Sequence, residues 1–209
     1  PGRIYSFLNT GGGVPAVEQK YVQNHSWIGS WTDSSATPVL RRLDLVINRD
    51  GVVVAAGVNN GGGSAIPGIL GPAYNAIAVG LTNGGGSWGP TANDGAGRCK
   101  PDIVAPATVT SSATPMVASA ATILWQAALD AGVVANLGRS RTATLIKAAL
   151  MAGATKEEIQ IWEFICQCFT GWRRGFATPS TDGTVPLDYR FGAGELNVNN
   201  SHAILTNPY

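Results

Sequence analysis

Charge is scarce in this 209-residue chain. Asp, Glu, Lys and Arg make up 13% of it, 14 basic residues against 13 acidic, for a net charge of +1. No basic run exists, so the electrostatic footprint of a nucleic-acid or anionic-membrane partner is missing. No apolar run reaches the ~20 residues of a membrane-spanning helix. Histidine occurs only at His25 and His202, and cysteine only at Cys99, Cys166 and Cys168. An odd cysteine count cannot be fully paired within the chain. Cys166 and Cys168 lie two residues apart, and on a helix such positions do not face each other. The three read as small buried thiols rather than as a disulfide or a metal site. No signal peptide precedes Pro1-Gly2-Arg3, so the sequence reads as a mature or trimmed product.

What the chain has is apolar material and turns. It is 44% hydrophobic, with 27 glycines and 12 prolines. Its length suits one domain with a real core, and its composition is that of a globular chain. Residues 1–20 hold a Gly11-Gly12-Gly13 turn and little else that is legible. Tyr21 to Trp27 reads as a short strand. Over residues 37–49, Leu40, Leu43, Val46 and Ile47 recur at helical spacing, with Arg41, Arg42, Asp44 and Arg49 between them, which predicts an amphipathic helix ended by Gly51. Residues 52–56 form a continuous apolar run typical of a buried parallel strand. Strand, helix, strand implies a crossover unit, whose ligands gather at the carboxyl ends of the strands. Another strand is expected at 76–80. Helices are expected at 112–131 and 141–152. The first is apolar nearly all round, which predicts burial on all sides. Thr155-Lys156-Glu157-Glu158 has capping-box spacing and predicts a helix to about Phe169, with Ile159, Trp162, Cys166 and Phe169 along one side. Residues 177–187 read as a loop.

The densest signal is Lys100 to Ala121, which runs from an apolar strand through a Pro-punctuated loop into a helix. Ser111 sits where that helix begins. Unpaired N–H groups there favour negative charge, which suits a serine nucleophile, although serine at a helix start is also a common cap. Thr110-Ser111-Ser112-Ala113-Thr114-Pro115 resembles the GTSxATP nucleophile motif of the subtilisin-like serine peptidases, and Lys100 to Pro106 resembles the KPDIVAPG run that precedes it. Val109 replaces the family's glycine, and Met116 its histidine. Tyr21 to Trp27, followed by Gly29, resembles the family's VxNxSxG strand along the substrate cleft. Ala55 to Gly61 resembles AAGNxG, which carries the oxyanion amide. Residues 76–80 resemble VIAVGA, residues 87–102 resemble SxxGPTxDGRxKPD, and residues 189–205 resemble the closing segment and final helix.

The resemblance implies a three-layer α/β/α fold with a mostly parallel sheet, lacking its amino-terminal part. It covers residues 21 to about 205 and implies a single domain over 1–209, with 155–187 as a possible insertion. It implies serine endopeptidase chemistry on polypeptide substrates, with Ser111 as nucleophile and Asn59 as oxyanion donor. Val58 occupies the family's direct asparagine position, so Asn59 requires a shift of one residue, and Asn60 is a weaker candidate. Ser26, Trp27, Gly29 and Gly57 would line the substrate cleft. The catalytic aspartate and HGTH segments are not found, and neither His25 nor His202 replaces them by pattern. They would lie in a separate or missing amino-terminal segment. The alternative is a non-catalytic subtilisin-like domain that binds or supports. A nucleotide-binding reading fails, because the glycine runs fit neither the P-loop nor G-x-G-x-x-G. No cofactor is implied. Calcium is frequent in the family, but no clustered carboxylates mark a site. A secreted location follows from the resemblance alone.

Overall fold

The computed structural model describes residues 7–91, 99–155, 160–162, 169–171, 187–188 and 190–207. Four strands form one sheet in the order β1 (Val22–His25), β2 (Val53–Gly57), β3 (Ile77–Leu81) and β6 (Ile103–Ala105), every neighbouring pair parallel. Two further two-residue strands, β4 (Gly89–Pro90) and β5 (Cys99–Lys100), pair antiparallel just before β6.

Side-chain alternation makes the layers. Val53 and Ala55 of β2 join Ile77, Val79, Ile103 and Ala105 in one apolar cluster, and Val54 and Ala56 join a second. Successive side chains of a strand point to opposite faces, so these clusters lie on the two faces of the sheet. The second cluster is filled by helix α1 (Asp33–Asp50), whose Leu40, Leu43, Val46 and Ile47 are all buried, as their spacing predicts. The first is filled by α2 (Thr110–Asp130), α4 (Arg139–Gly153) and α5 (Val198–Thr206), with the short α3 (Val133–Leu137) between α2 and α4. This is the α/β/α sandwich with a parallel sheet that the sequence implies. Gly51 ends α1 with φ 64°, a left-handed conformation that glycine adopts without strain.

The segment before β1 is laced to α1 by charge. Arg42 Nη1 donates to the carbonyls of Leu8 and Gly13, and Arg49 donates to those of Pro15 and Ala16. At the other side of the sheet, residues 193–196 run along β6. Val104 N–H donates to Gly194 O and Leu196 N–H donates to Val104 O, each near 2.9 Å. The far edge of the sheet is therefore covered by the closing segment of the chain.

The helix expected over 155–169 is corrected. Gln160–Trp162 and Phe169–Gly171 are antiparallel strands β7 and β8, and Thr155 bridges Glu195. Ile161, Trp162, Phe169 and Thr170 are β-branched or aromatic, the types that favour extended backbone over helix. Glu157, Cys166 and Cys168 lie outside the described residues, as does most of the loop expected at 177–187.

Cys99 is half-buried, its Sγ 3.8 Å from the carbonyl oxygen of Asp188. Burial, and secondarily the Asp188 and Asp102 carboxylates, push its thiol up to about 11. Only the thiolate is nucleophilic. Alkylation of Cys99 by iodoacetamide near neutral pH should therefore be about 10²-fold slower in the folded chain than in a denatured one, read by peptide mass spectrometry. Equal rates would show an exposed, ordinary thiol.

Candidate active site

All four strands of the sheet are parallel, so their carboxyl ends share one rim. β1 ends into Ser26–Gly29 and β2 into Val58–Asn60. β3 ends into the 82–88 loop and β6 into residues 106–109, which start α2. The fold thus brings to one rim the segments that the sequence singles out.

Ser111 lies in the first turn of α2 with its side chain exposed. It does not cap the helix. The capping position is Val109, extended at φ −138° and ψ 150°, with no side-chain cap. That backbone conformation is open to any residue, so valine replaces glycine there without strain. Val109 remains partly exposed beside Ser111.

The cap comes from across the rim. Asn60 Oδ1 accepts from the Thr110 N–H at 2.8 Å, and the Thr110 hydroxyl, 3.0 Å from the same oxygen, donates to Val58 O at 2.7 Å. The Ser112 and Ala113 N–H groups donate to Val109 O. Among the described residues, the Ser111 N–H has no acceptor, and the Asn60 Nδ2 group has none either. With Oδ1 fixed on Thr110, the amide nitrogen of Asn60 is held as a donor beside the first turn of α2. Two unused donors and an exposed hydroxyl therefore meet at a helix N-terminus, where the helix dipole adds partial positive charge.

Asn60 is itself held. Asn59 N–H donates to Ser87 Oγ at 3.0 Å, and Ser87 N–H donates to Asn59 O at 2.8 Å. Gly61 N–H donates to Gly85 O, and Asn60 bridges Gly86. A Cβ on Gly86 would come within 3.1 Å of Thr110 Cγ2, so the loop packs tightly under the helix start. Val58, at the direct asparagine position, is fully buried and belongs to the interior. Asn59 is clamped through its backbone, while Asn60 carries the side chain that reaches α2. The sequence favours Asn59 over Asn60, whereas the side chain that reaches α2 is that of Asn60, through a bond between residues fifty positions apart.

The residues expected to line a cleft sit as follows. Ser26 is partly buried and exchanges hydrogen bonds with the Asn24 side chain. Trp27 is exposed, edge-on to the His25 ring at 5.7 Å. A Cβ on Gly29 would run into the end of Ile69. Gly57 is buried, and a Cβ there would come within 2.8 Å of Thr114 Oγ1, so its lack of a side chain lets α2 close on β2.

His25 terminates β1 with its Nε2 2.8 Å from Gln23 Oε1. Burial lowers its pKa below the ordinary 6.5. The unfolded chain therefore takes up a proton that the folded one resists, and stability is lost as pH falls below about 6.5. Melting temperatures of wild type and His25→Gln should diverge on acidification from about pH 7.5 to 5, the wild type falling more steeply. Parallel curves would show that His25 titrates alike in both states. His202 is exposed on α5. Among the described residues no three carboxylate, imidazole or thiol groups converge as a metal would need, and no step below runs through one. Nor is any helix among them long and apolar enough to cross a membrane.

No family model matches the chain, and no curated protein matches it in sequence. Solved structures do. The patellamide maturation protease PatA superposes with a TM-score of 0.54 at 17% identity, over 99% of this chain and 67% of that one. The prenylagaramide maturation protease PagA gives 0.54 at 20% identity, over 98% and 66%. A protease of Pseudoalteromonas arctica PAMC 21717 gives 0.51 at 16%, over 95% and 56%. At such identities the likeness establishes a shared fold. The chain spans about two thirds of the length of the first two and just over half of the third.

Proposed function

We propose that this chain, which has the fold of the subtilisin-like proteases, carries the nucleophile and oxyanion donors of a serine endopeptidase site, and that further polypeptide supplies the base. The observation that carries the reading is the exposed Ser111 in the first turn of α2 beside two unused donors, its own N–H and the Asn60 amide. Ser111 Oγ attacks the scissile carbonyl carbon, and its proton passes to a general base. The carbonyl oxygen becomes an oxyanion that accepts from Asn60 Nδ2 and the Ser111 N–H. The C–N bond then breaks, the amine leaves with the proton from the base, and an acyl-serine remains. Water attacks the acyl-serine by the same route, releasing the acid and restoring Ser111. Residues Ser26–Gly29 flank the substrate, with the Trp27 ring bounding the cleft, while Gly57 lies buried beneath α2 and lines no cleft.

A serine hydroxyl is a poor nucleophile until a base takes its proton. His25 is ill placed for this, with Nε2 engaged by Gln23 and its ring against Trp27. On this reading the histidine and its orienting aspartate come from further polypeptide, as the resemblance to the subtilisin-like peptidases implies.

The test is labelling by a fluorophosphonate, with mass mapping of the adduct and a Ser111→Ala control. It is applied to the chain alone and to the longest natural polypeptide that contains it. Rapid labelling of Ser111 in the longer form alone is the expected result. Labelling in both would place the base within this chain and overturn that part of the assignment. Labelling in neither would overturn the peptidase reading in favour of a binding or structural domain.

A further inference from the structure

The donor side of the site rests on a segment with little stiffness of its own. Residues 82–88 hold Asn59, Asn60 and Gly61 through Ser87, Gly86 and Gly85, yet Gly84-Gly85-Gly86 is an unbroken glycine run. Glycine loses more conformational freedom on folding than any other residue, so such a run is hard to hold in one shape. It faces a second run, Gly61-Gly62-Gly63. Gly61 N–H donates to Gly85 O at 2.7 Å, and a Cβ on Gly62 would come within 2.9 Å of Gly84 O. Two glycine runs packed on each other have no side chains with which to order themselves.

The brace comes from the closing segment of the chain. Arg190 Nη2 lies 3.5 Å from the carbonyl oxygens of both Asn83 and Gly84, a long donor shared between two acceptors. Its guanidinium also lies against the Gly84 backbone, where a Cβ would run into Arg190 Nε and Cζ. Arg190 is fixed from behind. Asp188, which is buried, accepts from the Arg190 N–H at 2.7 Å and from the Phe191 N–H at 2.9 Å. Asp188 and Gly192 exchange backbone hydrogen bonds, and Ala193 N–H donates to Asp102 O. The turn that carries Arg190 is thus anchored at the start of β6.

Arg190 Nε is buried, and among the described residues it finds no acceptor. An unmet buried donor destabilises a fold. A side chain placed for stability alone satisfies its donors, whereas Arg190 leaves one unmet to lie flat on Gly84.

We infer that Arg190 is a positioning residue: by clamping Asn83 and Gly84 it sets the glycine loop, and through the loop the aim of the Asn60 amide at the oxyanion. It acts through two steps of backbone, the carbonyls of 83–84 and then the bonds from 85–87 to 59–61. The inference rests on the proposed function, since the aim of a donor matters only where an oxyanion forms. A group misplaced by about 1 Å can lose on the order of 10²-fold in rate. Removing Arg190 loosens the donor without deleting it, so a loss of about 10-fold is expected.

The experiment is a double-mutant cycle in the longest natural polypeptide that contains this chain, with Arg190→Met, Asn60→Ala and the two combined. Steady-state kinetics on a peptide substrate are read beside amide exchange of Gly61 and Ser87. Arg190→Met should lower kcat about 10-fold with KM within about two-fold, and should add less than about two-fold to Asn60→Ala, where no amide remains to be aimed. Exchange at Gly61 and Ser87 should speed up by about 10-fold or more. The melting temperature should change little, because an unmet donor leaves with the side chain. Arg190→Lys, which keeps the charge without the planar fork, carries the same cycle if Arg190→Met does not fold. Equal losses from Arg190→Met with and without Asn60 would overturn the inference, since Arg190 would then act on the fold and not on the donor. Unchanged exchange would overturn the clamp whatever the activity. Faster exchange in a polypeptide whose Ser111 takes no fluorophosphonate would uphold the clamp and overturn the peptidase reading.

Discussion

Ser111→Ala is expected to lower peptide-bond hydrolysis by about 10⁶-fold in the polypeptide that supplies the base, as loss of the nucleophile does in subtilisin. The melting temperature should barely change. Ser111 is exposed, caps nothing, and makes no hydrogen bond among the described residues, so the folded state gives up nothing with its hydroxyl. Asn60→Ala should cost about 10²–10³ in turnover with little change in KM, the loss seen when subtilisin is deprived of its amide donor. It should also lower stability by about 1 kcal/mol, because the Thr110 N–H loses its acceptor at a helix start. Asn59→Ala should stay within a few-fold of wild type, since Asn59 is held through its backbone. Steady-state kinetics with a peptide substrate, beside thermal melts of each variant, separates these effects. A large turnover loss for Asn59→Ala with none for Asn60→Ala would reverse the assignment of the donor. Retained activity in Ser111→Ala would end the serine mechanism.

The contrast between the two asparagines shows what sequence could and could not say. Periodicity and runs are local, so α1, β2, β3 and the start of α2 were legible from residues three to five apart. The buried positions of α1 and the apolar run at 52–56 landed where spacing put them, within a residue or two. The rim was legible at the level of segments, because a parallel sheet forces strand ends together. Which asparagine side chain reaches α2 was not. The Asn60–Thr110 bond is set by how the 82–88 loop clamps residue 59, and no local pattern encodes that. The stretch after Thr155 misled for another reason. Capping-box spacing favours a helix start, but the aromatic and β-branched residues around 161 and 170 favour extension, and strand pairing won. The uncharged composition of α2 predicts burial on all sides, yet Ser112, Met116, Ser119 and Ile123 are exposed along one stripe of it, because only the face toward the sheet and α4 is covered among the described residues.

The other large effect lies beneath the site, in residues that the sequence marked only as part of a motif. Lys100 is 3% exposed and Asp102 6%, with Lys100 Nζ 2.6 Å from Asp102 Oδ2. Lys100 also donates to Ala73 O, and Asp102 Oδ2 accepts from the Ala78 N–H at 2.7 Å. The Asp102 backbone bonds the same strand, its N–H donating to Ala78 O. The pair thus ties β6 to β3 immediately before the chain turns toward Ser111. Burying two charges is expensive, and their attraction with these extra hydrogen bonds offsets the cost only while both are present. Lys100→Met leaves a buried carboxylate with a single N–H for company, which should destabilise the fold by about 3–5 kcal/mol. For a chain of this length that is a fall of about 10 °C in melting temperature. Asp102→Asn should cost a comparable amount by stranding the Lys100 ammonium. The double variant Lys100→Met/Asp102→Asn should recover a large part of the loss, since no buried charge remains unpaired. Denaturant melts of the four proteins close the cycle. Additive losses would mean the two side chains act independently, and a cost below about 1 kcal/mol for Lys100→Met would mean water reaches the carboxylate and the pair is no keystone of the β3–β6 junction.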